Sequence, residues 1–175
     1  MRFRDYQKDI IDRGTGVMRK HRMLYLSMEV RTGKTLTAMG IAQSLGIKKM
    51  LFITKKKAIS SIESDYQMLS PGFEIIVINY ESLHKIDTVG VDLVVCDEAH
   101  SMGAFPKPSK RAKQVKEIVT VRRPYVILLS GTPTPESYSQ MYHQVYGIPT
   151  NPFAGYKNFY RFADDYVRVT TRRIN

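Results

Sequence analysis

Val91-Asp92-Leu93-Val94-Val95 and Val126-Ile127-Leu128-Leu129 are near-continuous apolar runs, too short for helices and too apolar for strands with one face in water. Strands of that kind are buried on both faces, which requires a parallel sheet with helices on either side. The rest of the chain alternates to match. Met23–Met28, Met50–Thr54, Phe73–Ile78, Val91–Cys96 and Tyr125–Leu129 read as five strands. Between them, Lys34–Leu45 carries Leu36, Met39, Ile41 and Leu45 near helical spacing, and Ile59, Ile62, Tyr66 and Leu69 mark another helix. Lys110–Val119 reads as a basic helix, and Pro135–Val145 as a further one with proline at its start. The expectation is an α/β domain with a mostly parallel sheet, helices on both faces, and ligands bound at the carboxyl ends of the strands.

Two segments at those ends carry chemistry. The first strand runs through Glu29-Val30-Arg31-Thr32 into Gly33-Lys34-Thr35, where a helix starts. Backbone N–H groups at a helix start carry the positive end of the macrodipole and suit a phosphate. Arg31, Thr32, Gly33, Lys34 and Thr35 are therefore the candidate nucleotide-binding residues. Lys34 reaches the β and γ phosphates, and the Thr35 hydroxyl ligates Mg²⁺. The general phosphate-loop pattern has glycine where this chain has Met28. The second segment is Asp97-Glu98-Ala99-His100, after Val91–Cys96. Asp97 is the candidate Mg²⁺ ligand, and Glu98 the general base that takes a proton from an attacking water. With Lys34 they form the candidate catalytic set.

Charge narrows the partners. Lys and Arg number 27 against 16 Asp and Glu, and a net charge of +11 favours polyanions. The cations cluster, at Arg19-Lys20-His21-Arg22, Lys55-Lys56-Lys57, Lys107 to Lys116, Arg122-Arg123 and Arg172-Arg173. No apolar run is long enough to span a membrane, and the N-terminus shows no secretory h-region. Cys96 is the single cysteine, so no internal disulfide forms, and its apolar neighbours make it a small buried hydrophobe. A reducing, cytoplasmic setting is the expectation.

On these segments the chain resembles superfamily 2 helicases, and within them the Swi/Snf-like DNA translocases and their phage relatives. Phe3-Arg4-Asp5-Tyr6-Gln7 is similar to the adenine-recognising Q motif, with Gln7 as reader. Glu29 to Thr35 resembles motif I, with Arg31 where the family has glycine. A guanidinium there either weakens the phosphate cradle or leans over the nucleotide. Phe52-Ile53-Thr54-Lys55 falls at motif Ia without its usual proline, and Asn79-Tyr80-Glu81-Ser82-Leu83 at motif Ib. Asp97-Glu98-Ala99-His100 resembles motif II of the DEAH-box type, and Ser130-Gly131-Thr132-Pro133 motif III.

The resemblance implies a RecA-like P-loop lobe that binds ATP and Mg²⁺. It implies that His100, Ser130 and Thr132 couple nucleotide state to nucleic-acid grip, and that Lys55 and Tyr80 touch one strand's backbone. It favours DNA, duplex or strand-tracked and read without sequence preference, as the partner. If the chain is phage-encoded, its compartment is the host cytoplasm. The family's second RecA-like lobe supplies an arginine finger that contributes about 10³–10⁵ in rate. No motif of that lobe follows Pro135, so the expectation is one lobe over residues 1–147, hydrolysing poorly alone. An aromatic and basic tail, 148–175, would lead toward the second. The alternatives are an RNA-helicase lobe and a non-catalytic nucleic-acid-binding module. A small P-loop kinase would use neither Asp-Glu-Ala-His nor Ser-Gly-Thr-Pro.

Overall fold

The structure, a computed structural model, describes residues 2–28, 33–104, 107–131 and 139–166. Five strands form one all-parallel sheet: β1 (Met23–Ser27), β2 (Lys49–Thr54), β3 (Glu74–Asn79), β4 (Leu93–Cys96) and β5 (Tyr125–Ser130), in the order β1-β5-β4-β2-β3. The helices are α1 (Asp5–His21), α2 (Lys34–Leu45), α3 (Ile59–Leu69), α4 (Lys110–Arg122), α5 (Ser139–Gln144) and α6 (Phe159–Tyr166). Short 3-10 helices cover Lys56–Ala58, Tyr80–Lys85 and Ala99–Met102.

Side-chain alternation along the strands divides two cores. Met50, Phe52, Leu93, Val95, Ile127 and Leu129 face α1, α2 and α3. Leu51, Ile53, Val94, Cys96, Val126 and Leu128 face the other way, onto α4 and the turns after β3 and β4. This two-sided burial explains why β2, β4 and β5 read as unbroken apolar runs. Phe52 is fully buried at the centre of the first core. Phe52→Ala is expected to cost about 3–5 kcal/mol, measured as a lower urea midpoint with an unchanged slope.

α1 and α2 pack closely, because a Cβ on Gly40 would collide with Ile11. The buried face of α1 is Gln7, Ile11, Gly14, Thr15 and Met18. This helix has no counterpart in the apolar pattern of the sequence. β4 starts two residues later than the pattern suggests, at Leu93, because the Asp92 carboxylate accepts from the Lys48 and Lys49 N–H groups at 3.0 and 2.9 Å and pins the start of β2. β3 starts at Glu74 because Phe73 leaves the strand line to pack, tilted, on Tyr66.

The chain passes Gly147 without leaving the core. Ile148 is buried beside Val145 in the α4-side core. The aromatics beyond it pack back on the lobe: Phe159 and Phe162 join Tyr142, Phe153 and Tyr156 in a satellite cluster on α5. Of the helix expected over Pro135–Val145, Ser139–Gln144 is α5 and Pro135 lies outside the described residues. Among the described residues, no helix is long and apolar enough to cross a membrane.

Candidate active site

Parallel strands put all their carboxyl ends on one edge. There the first polar residue of each apolar run emerges: Thr54 at the end of β2, Asp97 directly after β4, and Ser130 at the end of β5. Facing them is the N-terminus of α2, capped by Gly33 at φ 74°, a left-handed conformation that glycine adopts without steric cost. The first-turn N–H groups of such a helix have no intrahelical partner and point at the strand ends.

Lys34 and the two acidic residues meet on this edge. Lys34 Nζ lies 3.1 Å from Asp97 Oδ1 and 3.4 Å from Glu98 Oε1. Asp97, 4% exposed, is held from three sides. Its Oδ2 accepts from the Thr54 hydroxyl at 2.8 Å, its Oδ1 from the Glu98 N–H at 2.9 Å, and its backbone carbonyl from the Tyr80 hydroxyl at 2.7 Å. Glu98 sits at φ 51°, ψ 45°, a left-handed conformation costing a non-glycine residue about 1–3 kcal/mol. That turn throws its carboxylate out of the strand line, toward Lys34, Lys55 at 3.8 Å and His100 Nε2 at 3.4 Å. Burial pushes the Glu98 carboxyl up, but the Lys34 and Lys55 ammonium groups, with His100 beside them, outweigh it and hold the pKa below the ordinary 4.5. Glu98 is therefore ionised at neutral pH.

The remaining candidates take up positions around this centre. Gln7, 5% exposed, donates from Nε2 to the Gly33 carbonyl at 3.4 Å and accepts the Arg4 N–H at 3.0 Å, tying α1 to the start of α2. Thr35 lies half-buried in the first turn of α2. His100 Nδ1 and the buried Ser130 hydroxyl share a 2.8 Å hydrogen bond. The Ser130 hydroxyl also meets that of Tyr25, which donates to Gln144 on α5 at 2.6 Å. Burial pushes the Tyr25 hydroxyl up to about 12, so it stays a donor. Arg31, Thr32 and Thr132 lie outside the described residues. Lys55 is half-exposed at the rim, with Lys56 and Lys57 in solvent beside it.

Tyr80 requires a correction. A backbone contact to nucleic acid needs exposed surface, yet its side chain is 2% exposed and its hydroxyl is spent on Asp97. Thr54 is the residue that sequence reasoning passed over. The signal lies in the strand register: Ile53 pairs with Cys96, so the next residues, Thr54 and Asp97, stand side by side.

One buried carboxylate, one threonine hydroxyl and a lysine at a helix N-terminus fit Mg²⁺ bound with nucleotide phosphates. Mg²⁺ keeps several waters and takes only one or two protein oxygens alongside phosphate.

The profile of the SNF2-related domain family matches residues 19–172. No functionally curated protein matches the chain. Among solved structures, the Hef helicase domain of Pyrococcus furiosus is similar over 83% of this chain and 36% of its own, at 18% identity and a TM-score of 0.66. A nuclease-deletion mutant of the Type ISP restriction-modification enzyme LlaGI, solved with a DNA substrate mimic, is similar over 76% of this chain and 18% of its own, at 14% identity and a TM-score of 0.55. At these identities the likeness is one of fold, and the chain spans well under half of either protein.

Proposed function

The chain belongs to the SNF2-related domain family, and we propose that it is the ATP-binding and ATP-hydrolysing motor lobe of a DNA translocase or helicase. The observation that carries this reading is the meeting of Lys34, Asp97 and Glu98 at the strand ends, beside the N-terminus of α2. Lys34 and the α2 N–H groups hold phosphate oxygens, while Thr35 and Asp97 hold the metal. Bound Mg²⁺ neutralises charge on the β and γ phosphates. Thr54 and Tyr80 keep Asp97 in place. Glu98, ionised by its cationic neighbours, takes the proton from the attacking water. His100 and Ser130 link that carboxylate to Tyr25 and α5, a route by which nucleotide state reaches the rest of the lobe. Gln7 supports the loop from α1. The motif II spelling is of the DEAH-box type, and full turnover calls for a second RecA-like lobe.

DNA is the favoured track. Lys55, Lys56, Lys57, Lys110 and Lys113 are exposed on loops and helices next to the strand ends. Contacts of that kind go to phosphates and release counterions. The test is ATP hydrolysis by the full-length protein with duplex DNA of unrelated sequences. We expect stimulation by all of them, falling steeply between 50 and 200 mM salt by roughly tenfold or more. Stimulation by RNA alone would move the reading to an RNA helicase. Nucleic-acid binding with no hydrolysis under any condition would move it to a binding module.

A further inference from the structure

Among the described residues Tyr80 is the largest fully buried side chain, and it lies between the strand-end edge and a charged pair on the surface. On the inner side its hydroxyl donates to the Asp97 carbonyl. That carbonyl belongs to the Asp97–Glu98 peptide, whose N–H is held by the Asp97 carboxylate. Both polar atoms of one peptide are thus fixed, and that peptide leads into the left-handed turn that aims Glu98. On the outer side the Arg111 guanidinium of α4 lies over the Tyr80 ring, 4.7 Å from its centroid. Arg111 is ion-paired with Glu81 at 2.6 Å, and Glu81 also accepts from Asn79 at 3.0 Å. The Arg111 side chain is 36% exposed and Glu81 63%, with the exposed Lys110 beside them.

We infer that Tyr80 is a positioning residue for Glu98, and that the Arg111–Glu81 pair above it makes hydrolysis responsive to a nucleic-acid phosphate. Arg111 presents the planar fork that binds phosphate in two-point fashion, and Glu81 Oε1 takes one arm of that fork, at Nη2. A phosphate backbone on α4 competes with Glu81 for the guanidinium. Moving the guanidinium alters the cation–π contact on the ring, and through the hydroxyl it alters the hold on the Asp97–Glu98 peptide. The pieces are contiguous: surface arginine, buried ring, peptide, base. The inference rests on the motor-lobe reading above, since it presupposes that Glu98 acts on a bound nucleotide.

The test is a double-mutant cycle in the full-length protein, Tyr80→Phe and Arg111→Ala, with DNA-stimulated kcat, KM for ATP and thermal stability read for each. Phenylalanine fills the same space, so the fold is retained. Tyr80→Phe is expected to lower DNA-stimulated kcat about tenfold, with KM for ATP within about twofold of wild type. Arg111→Ala is expected to lower stimulated kcat severalfold in the wild-type background and to have almost no further effect on Tyr80→Phe. Equal kcat for wild type and Tyr80→Phe, or fully additive losses, would overturn the inference and leave the motor-lobe reading standing. A Tyr80→Phe protein whose melting temperature falls while kcat holds marks Tyr80 as packing alone and also overturns it. Absence of hydrolysis in the wild type defeats the motor-lobe reading itself, and the inference with it.

Discussion

Lys34→Ala is expected to weaken Mg²⁺–ATP binding by about ten- to a hundredfold, the worth of one charge-assisted contact to phosphate. The same substitution has a second consequence that can be read without nucleotide. Lys34 Nζ stands between the Asp97 and Glu98 carboxylates, and its field helps hold the Glu98 pKa below 4.5. A carboxyl with a lower pKa folded than unfolded contributes stability that is complete above its unfolded value. That contribution is lost as pH falls through the folded value. Lys34→Ala removes part of it. The stability gap between wild type and variant is therefore expected to be widest near neutrality and to close as pH drops below about 4.5. Nucleotide titration and urea denaturation at two pH values check both halves. Unchanged affinity would remove Lys34 from the phosphate site. A gap indifferent to pH would mean that the pairing with Glu98 carries no free energy in solution.

What the sequence discloses depends on whether burial shows in residue type. The strands are legible because both of their faces are apolar, as in Val94-Val95-Cys96 and Ile127-Leu128-Leu129. α2 is legible in full, Lys34–Leu45, since Gly33 caps its start and Gly46 its end. α1 is hidden, although its buried positions 7, 11, 14, 15 and 18 keep helical spacing. Gln, Gly and Thr occupy three of them: Gln7 bonds the Gly33 carbonyl, Gly14 lets Ile41 pack close, and the Thr15 hydroxyl bonds the Ile11 carbonyl. α6 is hidden for the opposite reason. Its aromatics satisfy a strand, a helix or a partner surface equally well, and only the contacts of Phe159 and Phe162 with Tyr142 resolve the choice.

The site follows the same division. Gly33, Lys34, Thr35, Asp97 and Glu98 stand out in the sequence because groups of these types after a strand are the ones phosphate and water chemistry would use, and the fold brings Lys34, Asp97 and Glu98 together. Thr54 and the burial of Tyr80 do not stand out, since they depend on which strands are neighbours. β2 lies beside β4, and the turn after β3 folds over the end of β4. A tyrosine in a polar segment, Asn79-Tyr80-Glu81-Ser82, reads as surface until that order is known.

Glu98→Gln separates binding from turnover most cleanly. Glutamine keeps the length of the side chain and its capacity to accept from Lys34 and Lys55, but it cannot take a proton. Lys34 retains its 3.1 Å pairing with Asp97, so the phosphate contacts survive. One negative charge is removed from the neighbourhood of the phosphates, so affinity for Mg²⁺–ATP is expected to hold or tighten. Hydrolysis by the full-length protein is expected to fall by about 10²–10⁴-fold, the usual contribution of a positioned base. Tight nucleotide binding together with lost phosphate release, measured on one preparation, is the diagnostic combination. Loss of both would mean that the charge on Glu98 organises Lys34, Lys55 and His100, with binding failing through their disorder. Near-normal turnover would remove Glu98 as the base, and its left-handed turn at the end of β4 would then need an explanation outside catalysis.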